Sequence, residues 1–98
     1  MFYVRTCRVC GAGGVGFLRC DDGATIVVMC DECDAVWLHP DRTGSRDDAL
    51  YTSPPAFQVP GLACSLTGGS SGWATRAEVE AAGWQAYIAG EGKALGEP

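Results

Sequence analysis

Two C-x-x-C pairs stand nineteen residues apart in this chain: Cys7 and Cys10 in "TCRVCG", Cys30 and Cys33 in "MCDECD". A 98-residue chain buries a modest share of its surface, so any cross-link between remote segments weighs heavily on whether it folds. Such pairs serve three chemistries: redox catalysis, disulfide frameworks and metal binding. A redox pair sits at the start of a helix, whose terminus lowers the thiol pKa, and neither pair here precedes a helical pattern. Disulfides belong to oxidising compartments. The amino terminus "MFYVRTC" lacks the apolar core of a secretory leader, and no apolar run approaches bilayer-spanning length. The expectation is a cytoplasmic, reducing setting, in which metal binding is the leading use of the cysteines.

The spacing agrees with that reading, because C-x-x-C pairs about 15–20 residues apart form tetrathiolate zinc sites. Between the pairs, "VGFLRC" (15–20) and "ATIVVM" (24–29) are β-prone runs on either side of "DDG" (21–23). Asp-Asp-Gly is turn chemistry, with Gly23 free to take positive φ. An out-and-back hairpin returns Cys30 to the side of Cys10. Gly11, directly after the first pair, suits a left-handed turn position, and Asp34 holds the equivalent place after the second. A third strand, "AVWLH" (35–39), stops at Pro40.

In these features, the C-x-x-C-G knuckle, the hairpin, the second knuckle and the following strand, residues 5–40 resemble the zinc-ribbon family. The resemblance implies Cys7, Cys10, Cys30 and Cys33 as ligands of a structural Zn2+; iron is admissible in the same cage. Asp34, where many ribbons carry glycine, and the acids Asp31 and Glu32 depart from the pattern. These acids add like charge beside a site that already carries −2 with four thiolates and one divalent ion, which disfavours a reactive thiolate. Arg8, in the opposing knuckle, is a candidate partner for Asp31 or Glu32, with plain solvation of all three the alternative.

Beyond the ribbon, residues 44–60 contain Pro54, Pro55 and Pro60, which favour extended chain over helix. Leu50, Tyr51, Phe57 and Val59 are expected to lie over the ribbon, and "GLACSL" (61–66) is a candidate short strand. "TRAE" at Thr75–Glu78 matches a capping box. Gly83 is the natural end of that helix, and a Schellman turn there folds Trp84 back onto Val79. "WQAYIA" (84–89) reads as strand or continued helix. The fold expectation is a small α+β metal-stabilised domain. It comprises a three-stranded antiparallel zinc ribbon over residues 1–43 and an irregular extension over 44–98 packed on it. The extension includes one short helix at about 76–82 and a mobile tail at 90–98.

Cys20 and Cys64 read as small buried apolar residues, with a mutual disulfide or a second metal site as the alternatives. His39 reads as a packing residue at a strand end, or as a substitute for one thiolate. Trp37, Trp73 and Trp84 read first as core. Arg5, Arg8 and Arg19 could share a face with Phe2, Tyr3 or Phe17 to stack a nucleic acid. No catalytic residue is assigned, and "TGGSSG" lacks the lysine and helix of a phosphate loop.

Seven Lys and Arg against twelve Asp and Glu give a net charge of −5, and neither half of the chain is basic. Nucleic-acid binders carry a basic footprint, so this balance argues against one. The expectation is a non-catalytic acidic module binding another protein, a basic one by charge complementarity, as regulator, accessory subunit or immunity-type inhibitor. The alternatives are a transcription-associated nucleic-acid ribbon and, behind it, an enzyme using Cys20, Cys64 or His39. Neither a membrane nor a small-molecule substrate is expected.

Overall fold

A computed structural model of the chain describes residues 1–92. The two β-prone runs pair as antiparallel strands β2 (Gly14–Arg19) and β3 (Ile26–Cys30), in register from Val15 opposite Cys30 to Arg19 opposite Ile26. Asp22 closes the turn between them. Its carboxylate accepts from the N–H groups of Ala24 and Thr25, both at 2.9 Å, and Gly23 takes φ 76°.

Around this hairpin the sheet has, among the described residues, six short strands instead of the expected three. β1 (Phe2–Thr6) pairs with β2, β4 (Val36–Trp37) with β3, β5 (Gly72–Trp73) with β2, and β6 (Gly90–Glu91) with β1, all antiparallel. β1 and β5 share one edge of β2. β1 lies opposite its start, Gly14–Gly16, and β5 opposite its end, Leu18–Arg19. Two-residue strands such as β5 and β6 are too short to show an alternating pattern, so only the folded sheet identifies them. Gly90 and Glu91, assigned to the tail by sequence, belong to β6, where Gly90 seats against the Tyr3 ring so closely that an added Cβ would come within 2.5 Å of the Tyr3 hydroxyl. The rest of the expected tail, 93–98, lies outside the described residues.

The sheet is covered on both faces, and alternate residues of β2, β3 and β4 divide between two cores. Phe17, Val28 and Trp37 join Val79 and Ala74 in one, with Trp84, Tyr87 and Ile88 packed against it. Leu18, Val27 and Val36 join Val59, Cys64 and Leu66 in the other. A strand buried on both sides reads as a continuous apolar run, which is why "VGFLRC" and "ATIVVM" show little alternation.

The first face carries helix α1 (Arg76–Ala81). Its capping box forms as expected: Glu78 N–H donates to the Thr75 hydroxyl at 3.2 Å, and Thr75 N–H donates to the Glu78 carboxylate at 2.8 Å. Arg19 of β2 also pairs with Glu78 at 2.7 Å, fastening helix to sheet. The Thr75 N–H, and after it Arg19, holds the Glu78 carboxyl below its ordinary value. Gly83 adopts φ 81°, and Trp84 N–H donates to Val79 C=O at 3.1 Å, completing the Schellman turn. Trp84 then approaches Phe17 at 6.4 Å between ring centroids. The segment after it is a single 3-10 turn, Gln85–Tyr87, neither of the forms expected for 84–89.

The second face is covered by residues 50–66. Val59 is fully buried there, with Leu50 and Phe57 packed beside it. Tyr51, expected in the same layer, is instead 56% exposed. "GLACSL" makes one isolated bridge, Gln58 to Ser65, and no strand, because Gly61 at φ 83° bends the chain back. Trp37 is fully buried and donates from Nε1 to Ser45 C=O at 3.0 Å, whereas Trp73 remains 37% exposed. Among the described residues, no helix is long and apolar enough to cross a membrane.

Thr75→Ala should destabilise the fold by about 1 kcal/mol, the usual value of a lost N-cap, read as a lower urea midpoint. The Glu78 contribution behaves as that of a carboxyl with depressed folded pKa: present above the unfolded value and lost as pH falls through the folded one. The difference between Glu78→Gln and the parent should therefore shrink on acidification, whereas that of Thr75→Ala, which loses only the hydroxyl accepting from Glu78 N–H, should persist.

Candidate metal centre

Both knuckles lie at one end of the sheet because each is the reversal between antiparallel neighbours. The first joins β1 to β2 and the second joins β3 to β4. The β2–β3 register then sets them side by side, with Asp31 N–H donating to Gly14 C=O at 3.1 Å.

Each knuckle is a tight loop built on the same plan. Cys7 N–H donates to Gly13 C=O at 2.8 Å, and Cys30 N–H to Ala35 C=O at 2.9 Å. Gly11 and Asp34, one place beyond the second cysteine of each pair, adopt φ 71° and 63°. The left-handed positions are those expected from sequence, and Asp34 is a residue type that tolerates such a φ. The turns aim backbone N–H groups at sulfur. Val9 donates to Cys7 at 3.3 Å, Gly13 to Cys10 at 3.5 Å, and Glu32 and Cys33 both to Cys30 at 3.4 Å.

The outcome is a cluster of four sulfur atoms, from Cys7, Cys10, Cys30 and Cys33, all within 4.8 Å of one another. Cys7 and Cys33 approach to 3.7 Å, and Cys10 and Cys30 to 3.6 Å. A tetrahedron with metal–sulfur bonds of about 2.3 Å has sulfurs about 3.8 Å apart, so the cluster can hold a metal ion. Its two ligand pairs each combine one cysteine from either knuckle, so an ion there would clasp β1–β2 to β3–β4.

The thiols differ in their environments. Cys10, at the exposed rim, is lowered from 9.0 to about 7, chiefly by the N–H of Gly13 and then that of Ala12. Burial pushes Cys30 and Cys33 up. A cation reverses that penalty by binding the thiolate form. Four thiolates with one divalent ion carry −2 overall, and the N–H groups aimed at sulfur offset part of that charge.

Two residues complete the site. Asp31 accepts from Gly14 N–H at 3.0 Å, so one of the acids inside the second C-x-x-C pins the second knuckle to the first. Gly13 lies where the knuckles cross. A Cβ there would stand 2.6 Å from Asp31 Oδ1 and from Glu32 Cγ, and 2.8 Å from the Cys30 sulfur. Neither role stands out in the sequence, although "GAGG" after a first knuckle is itself a sign of close backbone approach.

The other candidates lie elsewhere. Arg8 is exposed and is absent from the ion pairs among the described residues; Asp31 is engaged by backbone instead. His39 stays outside the sulfur cluster. It stands edge-on to Trp84 and Tyr87, at 5.2 and 5.6 Å between ring centroids. Its Nδ1 accepts from Asp41 N–H at 3.1 Å. Cys20 and Cys64 belong to the core on the opposite face. The stacking surface imagined around Arg19 and Phe17 does not assemble, since Phe17 is fully buried and Arg19 is held by Glu78 and the Ser70 carbonyl.

Gly13→Ala should weaken metal retention on the order of tenfold, the scale of outer-shell changes at metal sites, measured by competition with a chromophoric chelator. For the parent chain, metal release on acidification should coincide with loss of the folded circular dichroism signal, because protons displace the ion and the knuckles then part.

No protein-family model, curated protein or solved structure matches the chain, so the inferences that follow rest on its own residues.

Proposed function

We propose that the chain is a cytoplasmic zinc-ribbon protein whose Zn2+ is structural and whose role is the non-catalytic binding of another, basic protein. The observation that carries the reading is the sulfur cluster. Four cysteines fill all four positions of a tetrahedral ion, and an ion so enclosed keeps no place for water or substrate. A purely sulfur donor set favours zinc or iron over harder cations. Function then belongs to the surface.

Charge supports the choice of partner. Asp31, Glu32 and Asp34 are all exposed on the second knuckle, adjacent to a metal centre of net charge −2. Complementary charge on a partner would speed encounter and fix orientation. The same field opposes a phosphate backbone.

Elemental analysis of protein purified under reducing conditions should find one zinc per chain. Affinity capture with the metal-loaded chain should recover a basic protein. The double variant Glu32→Lys with Asp34→Asn should weaken that capture on the order of tenfold, with a shallower salt dependence and unchanged zinc content. Retention on DNA or RNA that falls steeply with salt, with no protein recovered, would move the function to a nucleic-acid-binding ribbon.

A further inference from the structure

The core on the second face contains two cysteines that the metal cluster does not use. Cys20 directly follows β2 and is fully buried, and Cys64 is 6% exposed. Both belong to the same packed cluster, with Val59 and Leu66. The residues directly after them are tied twice. Asp21 N–H donates to Ser65 C=O at 2.9 Å, and Ser65 N–H donates to Asp21 Oδ1 at 2.8 Å. Cys20 is further anchored through its own N–H to Thr25 C=O at 2.8 Å, and Cys64 C=O accepts from Val59 N–H at 2.9 Å. Segments joined by a backbone hydrogen bond run about 5 Å apart, within the Cα separation of about 4.4–6.8 Å that a disulfide spans.

We propose that Cys20 and Cys64 form a redox-modification site, two neighbouring thiols that a peroxide-class oxidant converts to a disulfide while the knuckle cysteines keep their metal.

The two thiols are unequal. Cys64 lines an open hollow of about 230 Å³ together with Asp21, Ala56, Gln58 and Ser65, which makes it the solvent-side member of the pair. The Cys20 thiol is pushed up to about 12, first by burial and then by the adjoining Cys64 thiol; it is the inner, resolving partner. In the first step peroxide transfers one oxygen to Cys64, giving a sulfenic acid and one water. In the second, the Cys20 sulfur displaces the sulfenic hydroxyl, which leaves as a second water with the Cys20 proton. Two S–H bonds break, one S–S bond forms, and hydrogen peroxide accepts the two electrons. A second metal site is the weaker use of the pair, because two sulfurs make half a tetrahedron and, among the described residues, the one metal-ligating group found is that of the knuckles.

The cross-link would join the end of β2 to the 50–66 segment. It would hold that segment on the sheet and shut the route through the hollow. The knuckle sulfurs, committed to an ion, are shielded from the same oxidant as long as the ion stays bound.

The test uses the metal-loaded, unaltered chain. It is exposed to a small excess of hydrogen peroxide, alkylated in denaturant with chelator, digested without reductant and mapped by mass spectrometry. The expected product is a peptide pair joined through Cys20 and Cys64, lighter by two hydrogens than the two thiol peptides together. Cys7, Cys10, Cys30 and Cys33 should be recovered alkylated, and the metal should be retained before denaturation. In Cys20→Ala, the same treatment should leave Cys64 as sulfenic or sulfinic acid. Cys20 recovered fully alkylated while Cys64 is over-oxidised in the unaltered chain, or either residue joined to a knuckle cysteine, would overturn the proposal. So would failure of both to react while the knuckle cysteines oxidise.

Discussion

Sulfur crowding at one end of the sheet is the constraint on which the other contacts depend. Four thiols within 4.8 Å are a poor arrangement for a chain alone: ionised, they repel, and protonated, two of them are buried without strong partners. A divalent cation makes the same arrangement favourable, since binding free energy at such a centre is folding free energy. The strands explain why the crowding is unavoidable. Once β2 and β3 pair with Val15 opposite Cys30, both reversals must fall on the same side, and each reversal carries two cysteines.

From that end outward, the structure is a sheet that needs cover on both faces. The capped helix and the Trp84 turn supply one cover, and the proline-rich segment supplies the other. Neither could stand alone. α1 has six residues, well short of the length at which isolated helices persist in water, and its place is held by Val79 in the core and by the Arg19–Glu78 pair. The 50–66 segment carries little regular structure of its own and is fixed by Val59, Leu66 and the paired hydrogen bonds to Asp21.

Much of this was legible in the sequence for identifiable reasons. The hairpin, the matched left-handed positions at Gly11 and Asp34, the capping box and the Schellman turn are local events, each fixed by residues within one or two turns of chain. The four-sulfur cluster followed from spacing plus the hairpin. Other features were not local. β5 and β6 are two-residue strands whose partners lie more than fifty residues away. The close approach that requires Gly13 exists only after two knuckles meet. β1 is different: "FYVRT" is rich in β-prone residues and carried a readable signal. The exposure of Tyr51 shows a limit of hydrophobicity alone, since its neighbour Leu50 takes the bridge to Val36 and successive side chains along extended chain point to opposite sides.

The shared edge of β2 has a bearing on solubility. An open strand invites other molecules to add to it, and long exposed edges seed fibrils. Here the central strand has its remaining side filled by two short lodgers end to end. The outermost strands among the described residues, β4, β5 and β6, offer two residues each, β4 being partly screened by the Leu50 bridge and followed closely by Pro40. Among the described residues, a sheet built on two apolar β-prone runs thereby presents only short templates on which a neighbouring copy could extend it.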